Sequence, residues 1–482
     1  MNITNQILID GKFLDAADGD TAPVINPVDE STITEIAVGG KAEVNAAVAA
    51  AKTAFVSEAW GNMSGWDRGK CLNRLADLIE KDAETIARLE ALEIGRPYVE
   101  PFNVDVPSAI ATLRTYAGYA DKIEGRQVPG PDHFGRPITA IVERRPIGVA
   151  AIILPWNAPT MIACWKLGPA LASGCTVVVK PAMEAPLAVL HLGKLILEAG
   201  IPAGVVNIVP GRGSVVGDLM ATHKDINKVS FTGSPRVGAR IATLCAPLFK
   251  KLTLELGGKG PQIICADADL DAAIPGVAMN IFANQGEICA AGSRIFVHRS
   301  MEEEVVKRMA AEADSRKLGN QFDEATSMGA LVSKAQFDSV LRYIKTGVSE
   351  GARIATGGER YGDIGYFVKP TVLAGVRNDM TVAKEEIFGP VAALIAYDTL
   401  EEAIALANDT DYALSANVWT RDFSTAHRLA KAIDAGTVWV NGGGTPDPRT
   451  AWGGDRQSGI GKELGWAGIE SYTKERVLNF LY

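Results

Sequence analysis

Val149-Ala150-Ala151-Ile152-Ile153-Leu154-Pro155-Trp156-Asn157 is the stretch that decides the fold. Its unbroken apolar run describes a strand buried on both faces, and the turn that follows carries an aromatic ring and an amide. The pattern recurs throughout Ile147–Gly258, where Cys175–Val179, Val205–Val209, Val229–Phe231 and Leu252–Leu256 are further buried strands. Helical spacing separates them at Met161–Ala172, Leu187–Ala199 (closed by Gly200), Val215–Ala221 and Val237–Leu244. Alternation of this length calls for an α/β fold, a parallel sheet with helices on both faces. Such sheets bind ligands at the carboxyl ends of their strands.

Those ends carry chemistry. After the first strand come Trp156 and Asn157; after the second, Lys180-Pro181-Ala182-Met183; after the third, Gly211-Arg212-Gly213-Ser214. The fourth runs into Thr232-Gly233-Ser234, and the fifth ends in Glu255. Glycine-serine turns at helix N-termini, here Gly213 and Gly233 with Ser234, cradle phosphate oxygens. The spacing Gly211-x-Gly213-x-x-x-Gly217 is one residue off the usual dinucleotide fingerprint, and glycines of this kind also serve as plain turns.

Downstream, Asn284-Gln285-Gly286-Glu287-Ile288-Cys289-Ala290-Ala291-Gly292 places one cysteine among small residues, with no second cysteine nearby for a disulfide or metal pair. A lone cysteine is more often a small core residue, and a glutamate at a strand end is more often merely solvated. Together, Cys289 and Glu255 make a candidate nucleophile and base, since a covalent intermediate needs a group to activate the water that releases it.

Elsewhere, Gln6–Phe13 is a strand with an Asp-Gly turn in a short antiparallel entry, and helical spacing follows from Ala42 to Phe55 and from Trp66 to Ile79. Gly125–Gly135 is loop-like, and Ile138–Glu143 alternates like an exposed strand. After Gly258 a second α/β segment begins, with a strand ending at Val297 and another at Val391–Ala396. Helices are expected at Met301–Met309, Phe337–Gly347, Leu400–Ala407 and Thr425–Ala435, then a strand at Thr437–Asn441 and a loop from Gly442 to Gly461.

A chain of 482 residues exceeds one small core, so two or more domains are expected. A net charge of −9 leaves no footprint for nucleic acid or an anionic membrane surface. Met1–Phe13 lacks the basic start and apolar stretch of a signal peptide, and no apolar run is long enough to span a bilayer. Six unpaired cysteines suit a reducing, cytoplasmic setting, and five scattered histidines give no metal site.

With these residues in view, the chain resembles the aldehyde dehydrogenase superfamily over essentially its whole length. The resemblance is carried by Pro155-Trp156-Asn157, Lys180-Pro181, Phe231-Thr232-Gly233-Ser234, Leu254-Glu255-Leu256-Gly257-Gly258-Lys259, Gly286-x-x-Cys289, Glu386-x-Phe388-Gly389-Pro390 and Ser458-Gly459-x-Gly461-Lys462-Glu463. It implies oxidation of an aldehyde to an acid: Cys289 attacks, the Asn157 amide and the Cys289 N–H hold the oxyanion, and Glu255 activates water. It also implies NAD or NADP, with Lys180 at the adenosine ribose, Trp156 and Ser234 at the pyrophosphate, and Glu386 and Phe388 at the nicotinamide ribose and ring. Glu463 would be a supporting or proton-relaying acid.

Two departures carry further expectations. Met183 stands where many NAD-preferring members have a glutamate, which implies tolerance of NADP despite the neighbouring Glu184. Ala158 and Ala283 stand where narrow tunnels have aromatic residues. The implied pocket is Ala158, Met161, Ile162, Trp165, Ala283, Ile288, Ala290 and Trp452, suited to bulky apolar or aromatic aldehydes unless nearby loops such as Gly442–Arg449 refill it. The family fold implies a Rossmann-like cofactor domain (residues 1–122 and 145–257), an α/β catalytic domain (258–457) and a small β oligomerisation element (123–144 and 458–482). Ile138–Glu143 and Val477–Leu481 would pair across subunits of a homodimer or homotetramer. The rival readings are a CoA-acylating semialdehyde dehydrogenase, opposed by Glu255, and a non-catalytic binding protein, opposed by Cys289, Glu255 and Asn157 together.

Overall fold

In the computed structural model, which describes residues 3–482, two twisted sheets face each other edge to edge. Met1 and Asn2, part of the N-terminal stretch read for a leader, lie outside the described residues. The first sheet has the order Lys12–Leu14, Ile7–Ile9, Val206–Ile208, Thr176–Lys180, Val149–Ile153, Lys228–Thr232, Lys251–Glu255, Gly459–Ile460. The five central strands are parallel. The two outer pairings made by Ile7–Ile9 and by Gly459–Ile460 are antiparallel.

Within the five, the chain starts at Val149–Ile153, steps outward through the next two strands, then returns to the other side of its starting strand. That reversal opens a crevice between the carboxyl ends of Val149–Ile153 and Lys228–Thr232. The strands form because both faces are covered. Ala150, Ile152, Val177 and Val179 enter one core, and Val149, Ala151, Ile153 and Val178 enter the core on the opposite face.

The second sheet has the order Arg353–Thr356, Thr371–Ala374, Val391–Tyr397, Arg294–His298, Pro261–Ile264, Ser415–Trp419, Thr437–Val440. It begins only a short crossing after the first sheet's Lys251–Glu255 strand, so the carboxyl edge of one sheet meets the amino edge of the other. Loops that precede strands of the second sheet therefore point at loops that follow strands of the first.

Several expectations are corrected. Val215–Ala221 is not one helix: a π-helical turn at Gly213–Gly217 leads into a short α-helix, Asp218–Thr222. The Gly125–Gly135 loop contains the strand Arg126–Val128, and the Gly442–Gly461 loop contains Asp455–Arg456 and Gly459–Ile460. These strands are two or three residues long and are set by their partners, which local periodicity does not record. The Thr425–Ala435 helix runs from Phe423 to Ala432. Ile138–Pro146 and Thr473–Leu481 pair with each other inside the chain, with Arg126–Val128 on the far side of Ile138–Pro146. Arg126–Val128 covers only Ala140–Val142 of the Ile138 strand's second edge, and the tail strand keeps one edge open. The Asp-Gly signal holds: Asp10 and Gly11 both take positive φ between Ile7–Ile9 and Lys12–Leu14.

Arg294 ties the second sheet together. Fully buried, it donates to the backbone oxygens of Lys259, Leu406 and Ala407 and to the Asn378 side chain. Two of those oxygens belong to the last turn of helix Leu400–Asn408, where backbone carbonyls lack helical partners. Arg294→Met is expected to cost about 3 kcal/mol by stranding these acceptors, measured as a lower midpoint in urea unfolding.

Candidate active site

A cavity of about 290 Å³ lies at the crevice between the sheet edges. From the first sheet it is lined by Pro155, Trp156, Asn157, Thr232, Gly233, Ser234 and Glu255; from the second side it is lined by Cys289, Glu386, Ile387 and Phe388. Eight residues singled out in the sequence thus share one wall: Trp156, Asn157, Gly233, Ser234, Glu255, Cys289, Glu386 and Phe388. Lys180, Met183 and Gly213 lie outside it. Lys180 is buried at its strand end and donates to the Pro181 carbonyl at 2.8 Å. Met183 is partly buried against the main core, and Gly213 opens the π-helical turn.

Cys289 is the one cysteine not fully buried. It sits beyond a turn in which Asn284 and Gln285 both hold left-handed φ, at 45° and 53°. Non-glycine residues there cost about 1–3 kcal/mol each, so the surroundings must hold them. They do. Asn284 Nδ2 donates to the carbonyls of Asn157 (2.9 Å) and Glu287 (3.1 Å), while Asn157 Nδ2 donates to Glu287 at 2.9 Å. One amide proton of Asn157 fixes the side chain, and the second remains for a ligand.

Electrostatics pushes these groups toward neutral forms. Burial, then the Glu463 carboxylate, raises Glu255 to about 8. Burial, then the carboxylates of Glu255 and Glu386, raises the Cys289 thiol well above its ordinary value. Burial raises Glu386 to about 7 against the Gly258 N–H, which it accepts at 2.9 Å, and the Lys259 charge. Glu255 Oε1 is buried without a protein hydrogen bond and borders the cavity. Behind Glu255, Glu463 is paired with Lys166, and Ser230 lies 3.1 Å from the lysine and 3.2 Å from the carboxylate.

Sequence reading missed two groups. Gln336, Ser339 and Tyr343 line the cavity from helix Lys334–Ser349. Their i, i+3, i+7 spacing was a polar stripe opposite the apolar face that revealed the helix. Gln336 Nε2 donates to the carbonyls of Ile387 (3.1 Å) and Phe388 (2.5 Å), holding a turn in which Phe388 has φ of 55°. Lys166 was the other miss; a single charge in the apolar helix Pro159–Ala172 was its signal.

The expected substrate residues divide. Ala158, Ile162, Trp165, Ala290 and Trp452 are buried in one core, with Met161 and Ile288 packed against it. Ala283 stands apart, as the residue closing helix Leu270–Phe282. Trp439, not anticipated, lies with its ring centroid 6.0 Å from Trp452, which is 6.4 Å from Trp165.

The site also fits a dinucleotide. Helix Pro235–Cys245 begins at Ser234 with no side-chain cap, leaving its N-terminal dipole free for phosphate oxygens. The Trp156 and Phe388 rings meet edge to face at 5.2 Å beside Glu386. A Rossmann-like crevice lined by a cysteine, a glutamate and a free helix N-terminus belongs to the α/β class of dinucleotide-binding folds.

The known proteins narrow that class. The aldehyde dehydrogenase family model matches residues 13–478, and the chain belongs to that family. It is 44% identical to the human mitochondrial aldehyde dehydrogenase, over 98% of this chain and 91% of that one. It is 42% identical to mouse retinal dehydrogenase 2, with the same coverage of both chains. The NAD⁺ complex of the Bacillus cereus aldehyde dehydrogenase superposes with a TM-score of 0.97 at 43% identity, covering 100% of this chain and 97% of that one. The protein is an NAD(P)-dependent aldehyde dehydrogenase.

A Cβ at Gly257 would lie 2.1 Å from Glu386 Oε2. Gly257→Ala is therefore expected to displace that carboxylate and weaken NAD binding about tenfold, ~1.4 kcal/mol. Fluorescence titration measures this, with an unchanged urea-unfolding midpoint as the control for folding.

Proposed function

We propose that the chain oxidises bulky apolar or aromatic aldehydes to carboxylic acids through a thioester on Cys289. The observation that carries this is the meeting of Cys289, Glu255 and Asn157, from three distant segments, on one cavity wall. Cys289 gives up its thiol proton to solvent, and its Sγ adds to the carbonyl carbon to form a thiohemiacetal. Its oxyanion is held by the free Asn157 amide proton and the Cys289 backbone N–H. When bound, NAD or NADP supplies the hydride acceptor. Trp156 and Ser234 would hold its pyrophosphate, Lys180 with Met183 and Gly213 its adenosine end, and Glu386 and Phe388 its reacting end. Glu255 then takes a proton from the water that attacks the thioester, and carboxylate leaves as the thiol is restored. A buried carboxyl serving a thioester favours hydrolysis over transfer to CoA.

Met183 offers no carboxylate to repel a 2′-phosphate, and Glu184 beside it is exposed, which supports use of NADP as well as NAD. For the aldehyde, Trp165, Trp452 and Trp439 supply an aromatic surface, and the small side chain at Ala158 would leave the pocket wide. The name of the related retinal dehydrogenase points to the same substrate class. Two sheets support a cofactor domain (1–122 and 145–257) and a catalytic domain (258–457), with 123–144 and 458–482 as an oligomerisation element that also lends Gly459–Ile460 to the cofactor sheet. Exposed Val477, Phe480, Leu481 and Tyr482 around the tail strand's free edge support a homodimer or homotetramer. Six free thiols support a cytoplasmic setting. No helix among the described residues is long and apolar enough to cross a membrane.

Because Glu255 ionises near 8, the carboxylate needed as base is scarce at neutral pH and grows as pH rises. Deacylation should climb through about pH 8 and level off above it. Glu255→Gln should flatten that profile and slow steady-state turnover about 10²–10⁴-fold, leaving a burst of NADH visible in stopped-flow mixing. Ala158→Phe should cut kcat/KM for benzaldehyde by about tenfold or more, the cost of overpacking, while sparing acetaldehyde; NADH absorbance with both substrates reads the difference.

A further inference from the structure

The geometry points to Glu90, held beside the guanidinium of Arg96, and Glu100, further along the same segment, as positioning residues for the two donors that receive the carbonyl oxygen. The inference rests on the assignment of those donors, the Asn157 amide and the Cys289 N–H, made above. Neither glutamate lines the cavity, nor do Arg96 and Asp105.

All four come from one segment, the end of helix Ala83–Ile94 and the π-helical turn Pro101–Asp105 that follows it. Arg96 pairs with Asp105 and lies 3.6 Å from Glu90, all three side chains at most 4% exposed. A guanidinium so far from water must be surrounded by acids, and the acids need it, so the segment holds as one charged unit.

From this segment two carboxylates reach out to different loops. Glu90 Oε1 accepts the Thr160 N–H at 2.8 Å, in the first turn of helix Pro159–Ala172. That helix starts at Ala158 with no cap of its own, so Glu90 does what the local sequence does not, and it fixes the backbone directly after Asn157. Glu100 Oε2 accepts the Asn284 N–H at 3.0 Å. Asn284 is the left-handed residue whose side chain bonds the carbonyls of both Asn157 and Glu287. One segment thus anchors the loop carrying each donor, and Asn284 joins the two loops. Burial raises both glutamates, Glu90 far more than Glu100, and this leaves their acceptor roles intact. Donors misplaced by about an ångström lose about 10²-fold in rate, so such an anchor acts on the chemical step rather than on ligand binding.

The test uses the full chain and compares stopped-flow NADH bursts, counted per alkylatable Cys289, with iodoacetamide alkylation and NAD titration. Alkylation develops no oxyanion, so a merely structural lesion lowers it together with the burst. Glu100→Asp keeps the charge but falls a methylene short of the Asn284 N–H. It should slow the burst about 10²-fold, with alkylation and NAD affinity within about twofold of the parent. Glu100→Gln keeps an acceptor oxygen and should hold the burst within about threefold. Glu90→Ala, on the Asn157 side, should give a second fall with the same split. A parent-like burst in Glu100→Asp, or alkylation falling in step with it, overturns the inference. Asn157→Ala separates the two layers: if it leaves the burst intact, the donor assignment fails, whereas if it collapses the burst and Glu100→Asp does not, only the anchor fails.

Discussion

The active site depends on how tightly the chain crosses from one sheet to the other at Leu256-Gly257-Gly258-Lys259-Gly260. A side chain at Gly257 would strike the Glu386 carboxylate, and one at Gly258 would lie 2.5 Å from the Cys289 carbonyl. With no side chains at these two positions, the loop bearing the cysteine and the turn bearing Glu386 come to rest directly on the backbone that leaves Glu255. The cysteine loop is therefore spaced by backbone contact, and Glu386 is seated through its carboxylate, which accepts the Gly258 N–H at 2.9 Å.

That crossing also explains the electrostatics. Packing this close excludes water, and burial pushes Glu255 up to about 8, Glu386 up to about 7 and Lys259 down to about 7. Acids and a base that would differ by several units in water are drawn together near neutrality.

Much of this was legible in the sequence. The Val149–Ile153 strand and its parallel neighbours announced themselves because both faces are buried, so every residue is apolar, and their ends carried Asn157, Ser234 and Glu255. Cys289 was legible through its small neighbours. What stayed hidden was whatever depends on a distant partner. Gly459–Ile460 is a strand only because Leu254 and Glu255 lie beside it. The turn at Gly213–Gly217 widened into a π-helix that spacing alone scored as α-helical. Glu90, Arg96 and Glu100 fall in a stretch that carries no motif, and Trp439 looked like an ordinary strand residue, because nothing local says which loop will cover them.

The interior around Glu255 draws on the chain's final stretch. Gly459–Ile460 closes the first sheet next to the Glu255 strand, and Glu463 reaches Lys166 across nearly three hundred positions of sequence. A ribosome releases these pieces in order, so Cys289 is made and exposed to the cell well before the groups that complete its surroundings exist. During that interval the thiol has the reactivity of any cysteine on an unfolded chain. Its buried surroundings are acquired late, when Gly459–Ile460 and Glu463 dock.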